Sequence, residues 1–269
     1  MNARLLRACN RISDTIIIPR AKTAWAREAK KLALPMHFVA ALLSVEDKRF
    51  IYHPGVDPLA IVRALMDSIA RRRLKHGAST ITQQLYSIRR RTKRGHSGRF
   101  GEKLRQALWA IGHTATTSKS AILAEYLETV YWGRDYYGLE EAATGYFKVR
   151  PNNLSAAESF FLVERLASPN RVSPERVIVL LCRPAMYQCC CESKWTLDDI
   201  FATYEHFFVC GAAIKKASSR TGKDRRTTTA DSMELMKGRS QEIIERLEIP
   251  LGQWMPMLAV PAMTRLTHS

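Results

Sequence analysis

An apolar run that ends abruptly in charge constrains this chain more than any other feature. Phe38-Val39-Ala40-Ala41-Leu42-Leu43-Ser44-Val45 is followed at once by Glu46-Asp47-Lys48-Arg49-Phe50-Ile51-Tyr52-His53-Pro54-Gly55-Val56-Asp57, the densest polar cluster in the sequence. The run falls far short of the ~20 apolar residues that a bilayer span needs. A carboxylate at the end of an apolar helix is partly desolvated, and desolvation raises a carboxyl pKa and fits it for proton transfer. His53 and Asp47 can hydrogen-bond and orient the turn. On these residues alone, capping acids in a turn is favoured over catalysis.

The punctuation elsewhere is helical. Asp57-Pro58 opens a helix, with a capping acid followed by a proline whose missing N–H costs nothing. Leu59, Val62, Met66 and Ile69 continue it at helical spacing, and Arg71 to Lys75 close it against the negative end of the helix dipole. Further helices are expected over residues 80–90, 102–114 and 119–132, the last capped by Ser118. Ser155-Ala-Ala-Glu158 is a capping box that opens a helix to about Leu166. Residues 91–101 read as a basic, glycine-containing loop. After Pro174, residues 177–182 fit a strand or a buried helical turn, and helices are expected over residues 196–210 and 234–247. The fold class is therefore mainly α. The organisation read from the sequence is an N-terminal segment over residues 1–32 with no clear anchor, a domain over 33–175, and a C-terminal extension over 176–269. The extension carries a polar loop, expected to be mobile, at about 217–232.

The chain has 269 residues, with 42 Lys+Arg against 25 Asp+Glu and a formal net charge of +17. Between Arg63 and Arg105, thirteen basic residues face only Asp67 and Glu102. Such a surplus points to an anionic partner: nucleic acid, an anionic membrane surface or a phosphorylated substrate. The six cysteines, at 9, 182, 189, 190, 191 and 210, form no CxxC pair. A zinc ribbon is disfavoured, and free or partly buried thiols are expected. The Trp109, Tyr131 and Trp132 rings read as core at helical spacing, and His113 and His206 as structural rather than metal-ligating. Neither a transmembrane helix nor a signal-peptide core is visible.

A second polar cluster is Gly77-Ala78-Ser79-Thr80-Ile81-Thr82-Gln83-Gln84-Leu85. A small-residue turn here enters a helix whose first residues carry hydroxyls and amides, and free N–H groups at a helix start bind anions. An ordinary polar helix start is the simpler alternative.

Together the two clusters resemble the peptidoglycan glycosyltransferase family, the lysozyme-like transglycosylases that polymerise lipid II. The first motif of that family, Glu-Asp-x-x-Phe-x-x-His-x-Gly-x-Asp, is matched at Glu46, Asp47, Phe50, His53, Gly55 and Asp57. The second, Gly-Gly-Ser-Thr-Ile-Thr-Gln-Gln-Leu, is matched from Gly77 to Leu85 with Ala78 as its one change. Ser118 to Gly133 resembles a later pattern, with Glu128 in place of asparagine. Tyr137 to Phe147 and Leu154 to Leu162 continue the likeness in order. The resemblance covers about residues 33–175 and implies two helical lobes flanking a cleft.

The resemblance implies a set of roles. Glu46 would be the catalytic general base, drawing the proton from an acceptor sugar 4-hydroxyl as it attacks the donor's anomeric carbon. Undecaprenyl pyrophosphate would leave, with inversion to a β linkage. Asp47, Phe50, His53 and Gly55 would support the first motif. Gly77, Ser79, Thr80, Thr82, Gln83, Gln84, Lys103 and Gln106 would bind substrate. The expected partners are lipid II and the growing glycan strand, an anionic membrane surface and cell-wall synthesis proteins. No cofactor is required, although some family members respond to a divalent metal. The expected location is the bacterial cytoplasmic membrane, peripheral and on its periplasmic or outer face. No penicillin-binding Ser-x-x-Lys nucleophile is credible in residues 176–269.

Several positions depart from the family pattern. Ser87 and Ile88 stand where it usually has Lys-Asn. Its Arg-Lys-x-x-Glu motif falls on Glu102-Lys103-Leu104-Arg105-Gln106, so the second key carboxylate is a glutamine, which keeps hydrogen bonds but cannot shuttle a proton. Arg89, Arg90 and Arg105 are the candidates for the lost cation. Two alternatives follow. One is a catalytically impaired homologue that binds lipid II or glycan. The other, disfavoured because no nucleic-acid-binding signature accompanies the basic stretch, is a nucleic-acid-binding protein.

Overall fold

The computed structural model describes residues 21–62, 64, 79–90, 99–170, 176, 177, 180 and 199–205. The chain divides into two compact units, Met1–Leu154 and Ser155–Ser269.

In the first unit, α1 covers residues 21–31 and buries Ala21, Ala24, Trp25 and Ala29. The sequence pattern predicts no helix over this segment. Helix α2, Met36–Glu46, buries every residue from Phe38 to Ser44. A helix apolar on all sides lies inside a core, and this one is its axis. Helix α3 begins at residue 58, where Asp57 Oδ1 accepts from Ala60 N–H at 3.0 Å, as the capping acid predicts. It is described to residue 62 and again at 64.

Helix α4, Ile81–Arg90, packs against α5, Arg99–Thr116, and α6, Lys119–Thr129. Ile81, Leu85, Ala110, Ile122, Leu123 and Tyr126 are completely buried. Ser118 caps α6, its Oγ accepting from Ala121 N–H at 3.2 Å. Residues 99–101 are already helical, so α5 starts before the residue 102 expected from the basic loop.

A larger correction lies after α6. The helix ends at Thr129, not 132, and Tyr131–Gly133 forms strand β1, antiparallel to β2, Tyr136–Tyr137. Positive φ angles at Gly133, Arg134 and Asp135 make the turn between them. Trp132 is fully buried as expected, but on a strand, with its ring 6.4 Å from that of Phe38. Helix α7, Leu139–Phe147, and a 3-10 turn, Pro151–Asn153, complete the unit.

In the second unit, α8, Ala156–Arg165, has the predicted capping box: Glu158 N–H donates to Ser155 Oγ at 3.2 Å, and Ser155 N–H to Glu158 Oε2 at 2.8 Å. Glu164 and Arg165 are fully buried as an ion pair, and Tyr204 OH donates to Glu164 Oε2 at 3.0 Å. Residues 176, 177 and 180 are helical, favouring the helical turn over a strand there, and residues 199–205 are helical within the predicted 196–210. The expected helix over 234–247, the loop over 217–232, His206 and all six cysteines lie outside the described residues. The fold class is mainly α, with one two-stranded ribbon among the described residues.

Candidate active site

Glu46 is the last residue of α2, half-buried where the apolar helix ends. Asp47 caps that helix and is buried. The residue gathers three segments: its backbone N–H donates to Leu43 O at 3.0 Å to close α2, its carboxylate faces His53 Nε2 at 2.9 and 3.0 Å, and its Oδ2 accepts from Ile81 N–H, the first amide of α4, at 3.0 Å. Gly55 N–H donates to His53 Nδ1 at 3.1 Å. Nδ1 therefore accepts, and Nε2 carries the proton given to Asp47.

The turn from Phe50 to Asp57 is pinned on all sides. Phe50 is fully buried, edge-on to His53. Arg49 donates to Asp57 from Nε at 2.8 Å and from NH2 at 3.0 Å. Gly55 has φ +102°, and a Cβ there would sit 2.2 Å from the Ala110 carbonyl oxygen, so α5 passes where only glycine fits. Thr80 Oγ1 donates to Gly55 O at 2.6 Å, joining the two motifs directly.

Thr80 and Gln83 form a capping box of their own. Thr80 N–H donates to Gln83 Oε1 at 2.9 Å, and Gln83 N–H to Thr80 Oγ1 at 3.2 Å. The Thr-x-x-Gln spacing carries this signal in the sequence. Thr80, Thr82 and Gln83 are all buried, and the Thr82 hydroxyl has no partner among the described residues.

Gln84 connects α4 to Glu46. Its Nε2 donates to Glu46 Oε2 at 2.8 Å, and its Oε1 accepts from Tyr126 OH at 2.8 Å. Tyr126 is fully buried, and burial, reinforced by the Glu46 and Asp47 charges, pushes its hydroxyl well above the usual tyrosine range. The phenol stays protonated, so its donation fixes the Gln84 amide with nitrogen toward Glu46.

Lys119 is a second residue that sequence reasoning did not single out. Its Nζ donates to the His53 carbonyl at 2.7 Å and lies 4.6 Å from the Phe50 ring centroid. Burial, opposed by Asp47, lowers its pKa to about 8. Both Tyr126 and Lys119 stand in the Ser118–Gly133 pattern, which was their signal in the sequence.

On the α5 side, Lys103 Nζ donates to Gln106 Oε1 at 2.8 Å and to Ser79 Oγ at 3.2 Å, and no carboxylate among the described residues lies within 4 Å of it. Gln106 is buried, its Nε2 donating to Gln83 O at 2.7 Å and Ser87 Oγ at 2.6 Å. The three arginines expected to stand in for a missing cation are tied to acids: Arg89 to Glu125, and Arg90 and Arg105 to Glu102. Arg89 also lies over the Trp109 ring, on which His113 stacks. Lys103, exposed beside Ser79, is instead the cation at the start of α4.

Glu46, Asp47, Phe50, His53, Gly55, Ser79, Thr80, Gln83, Gln84, Lys103 and Gln106 thus form one connected network, and Thr82 lies buried on the same helix. Gly77 lies outside the described residues. A separate pocket of about 590 Å³, lined by residues including Leu34, Leu127, Tyr137 and Arg150, contains none of them. The hydrogen-bonded carboxylate, not that hollow, is the chemically equipped place. Among the described residues, no group of three or more His, Cys, Asp or Glu side chains is placed to hold a metal ion.

The arrangement can present one carboxylate to a proton donor beside a helix start and a cation. The Transglycosylase family matches residues 15–188. Similar proteins include penicillin-binding protein 1A of Aquifex aeolicus, 36% identical over 145 residues, which are 52% of this chain and 19% of that protein. Penicillin-binding protein 1A of Haemophilus influenzae is 35% identical over 145 residues, 54% of this chain and 17% of its own length. Penicillin-binding protein 1C of Escherichia coli is 33% identical over 139 residues, 52% of this chain and 18% of its own. The chain thus matches less than a fifth of the length of these relatives. With the matched region covering well over half of it, the chain belongs to the transglycosylase family.

Proposed function

We propose that this protein is a glycosyltransferase of peptidoglycan synthesis that polymerises glycan strands from lipid II, with Glu46 as general base. The observation that carries this reading is the Glu46 carboxylate, oriented by Gln84 and through it by Tyr126 at the end of a buried helix. Glu46 takes the proton of the acceptor 4-hydroxyl. The oxygen attacks the donor's anomeric carbon from the face opposite the leaving group, and the bond to pyrophosphate breaks. Undecaprenyl pyrophosphate departs with the electron pair, and the new linkage is β. Lys103 and Ser79 face the developing charge, and a positioned cation at a leaving group lowers the barrier. The reaction as written needs no cofactor.

A lipid-linked substrate requires contact with a membrane. Among the described residues, no helix is long and apolar enough to cross one. Leu104, Leu108 and Ile111 are exposed in a row on α5, with Arg105 alongside. We assign this stripe to peripheral contact with an anionic membrane surface, at the outer face of the cytoplasmic membrane.

A second reading, a homologue that binds lipid II without turning it over, is favoured by one observation: position 106 is a neutral, fully hydrogen-bonded amide. Incubating the purified full chain with lipid II in detergent decides between the two. The enzyme reading expects glycan chains and released undecaprenyl pyrophosphate. Saturable binding without chains favours the second reading, and neither binding nor chains overturns both.

A further inference from the structure

Gln106 stands in the interior with its hydrogen-bonding capacity used. It is 5% exposed. Its two amide protons go to the Gln83 carbonyl at 2.7 Å and the Ser87 hydroxyl at 2.6 Å, and its oxygen accepts from Lys103 at 2.8 Å. The orientation is determined, because a carbonyl oxygen can only accept. A carboxylate in the same place would set an unprotonated oxygen against the Gln83 carbonyl, two acceptors with no proton between them. The site is shaped for an amide.

The contact lies one residue from the chemistry. Gln83 and Ser87 belong to the same helix as Gln84, which donates to Glu46. Gln106 also grips the carbonyl of the residue whose side chain closes the capping box at Thr80. Whatever holds Gln83 O therefore holds the start of α4, and with it the group that orients Glu46.

Ser87 and Gln106 are two of the positions that depart from the resemblance noted above, one having lost a cation and the other a carboxylate. In space they touch. Removing the two opposite charges together leaves the local charge unchanged, whereas a carboxylate alone at 106 would be buried with its Gln83 side unpaired. Among the described residues Lys103 meets only the neutral Gln106 and Ser79, at the start of α4.

We propose that Ser87 and Gln106 act as one coupled unit, a neutral strut between α4 and α5 that sets Gln84 against Glu46, with position 106 taking no part in proton transfer. The proposal rests on Glu46 as the base. It makes Gln106 a positioning residue and Glu46 the carboxylate that carries the reaction alone.

The test is a double-mutant cycle on the full chain: Ser87→Lys, Gln106→Glu and the two together, with Gln106→Ala as a fourth variant. Thermal unfolding is followed at pH 5 and pH 7, and lipid II polymerisation across pH. In Gln106→Glu, burial and the facing Gln83 carbonyl raise the folded pKa of the new carboxyl above its unfolded value of ~4.3, against the opposing pull of Lys103. The loss of Tm is therefore small at pH 5 and larger at pH 7, because the penalty grows as the proton is removed. Adding Ser87→Lys restores at least half of that loss, since an ammonium has donors for both the new carboxylate and the Gln83 carbonyl. In Gln106→Ala, kcat falls ~10- to 100-fold with little change in KM, as expected for a misplaced catalytic group. The acid limb of its rate profile moves to higher pH, because a displaced Gln84 no longer donates to the Glu46 carboxylate. Purely additive losses in the double variant, or a Gln106→Glu protein with unchanged Tm and equal or greater rate, overturn the proposal. A parent protein that makes no glycan refutes Glu46 as base, and the Tm cycle still decides whether the strut exists.

Discussion

At the scale of single residues, the side chains that orient Glu46 come from far along the chain. Tyr126 donates to Gln84 across 42 positions, and Lys119 to His53 across 66. Glu46 is singled out in the sequence by the resemblance of its motif, since the end of an apolar run by itself favours a capping acid. Tyr126 and Lys119 carried only the signal of their places in the Ser118–Gly133 pattern, which does not say that their polar ends meet other segments. Tyr126→Phe removes one donor and frees the Gln84 amide to turn. The hydrogen bond contributes about 1 kcal/mol net, and steady-state polymerisation should show a roughly fivefold lower kcat with the fold preserved by circular dichroism. Lys119 makes a pH prediction. Its proton leaves at about pH 8, so the ammonium's attraction to the Phe50 ring and Asp47 weakens above that pH. The rate profile should fall on an alkaline limb near 8, and Lys119→Arg, which stays charged, should move that limb above ~10. Stability follows the opposite course over the same window. The unfolded lysine keeps its proton to ~10.4 while the folded one has lost it, so this group's contribution to stability rises between those pH values.

At the scale of elements, helix starts were readable wherever a side chain announces them. Ser118, Asp57 and the Ser155–Glu158 box all cap as their chemistry predicts. The β1–β2 ribbon was not readable, because Arg134 and Asp135 adopt positive φ, a conformation their residue types do not declare. The aromatic run Tyr131-Trp132 is compatible with helix or strand, and the turn decides it. The α5 start was missed because a basic, glycine-containing stretch reads as loop when its helical part is carried by later residues. Packing between elements makes its own prediction at Gly55, where the motif turn meets α5. Gly55→Ala combines positive φ, ~1 kcal/mol or more, with a backbone clash that overpacking data put at ~1–3 kcal/mol. Thermal unfolding should show a Tm lowered by several degrees, and the polymerisation rate should fall with it, because Thr80 loses its place on the Gly55 carbonyl.

At the scale of the whole molecule, part of the basic stretch is engaged by acids. Arg89 pairs with Glu125, and Arg90 and Arg105 share Glu102, while Lys103 meets no carboxylate among the described residues. The net +17 of the chain still calls for an anionic partner. Flotation with vesicles containing anionic lipid should recover the protein at low salt, and recovery should fall as ionic strength shortens the Debye length from ~30 Å at 0.01 M to ~8 Å at 0.15 M. Changing Leu104, Leu108 and Ile111 to serine together should weaken recovery at both salt levels, since those side chains are exposed on the folded protein. Unchanged recovery would remove α5 from the membrane contact.

The central claim is that one carboxylate, Glu46, carries the glycosyl transfer. Its most direct test compares lipid II polymerisation by the parent and by Glu46→Gln, with lipid II binding measured on both. The substitution keeps the shape and a hydrogen-bonding group facing Gln84 but removes the base. The account predicts a loss of ~10²- to 10⁴-fold in rate with binding within a few-fold of the parent. A Glu46→Gln protein that polymerises lipid II as fast as the parent would contradict it.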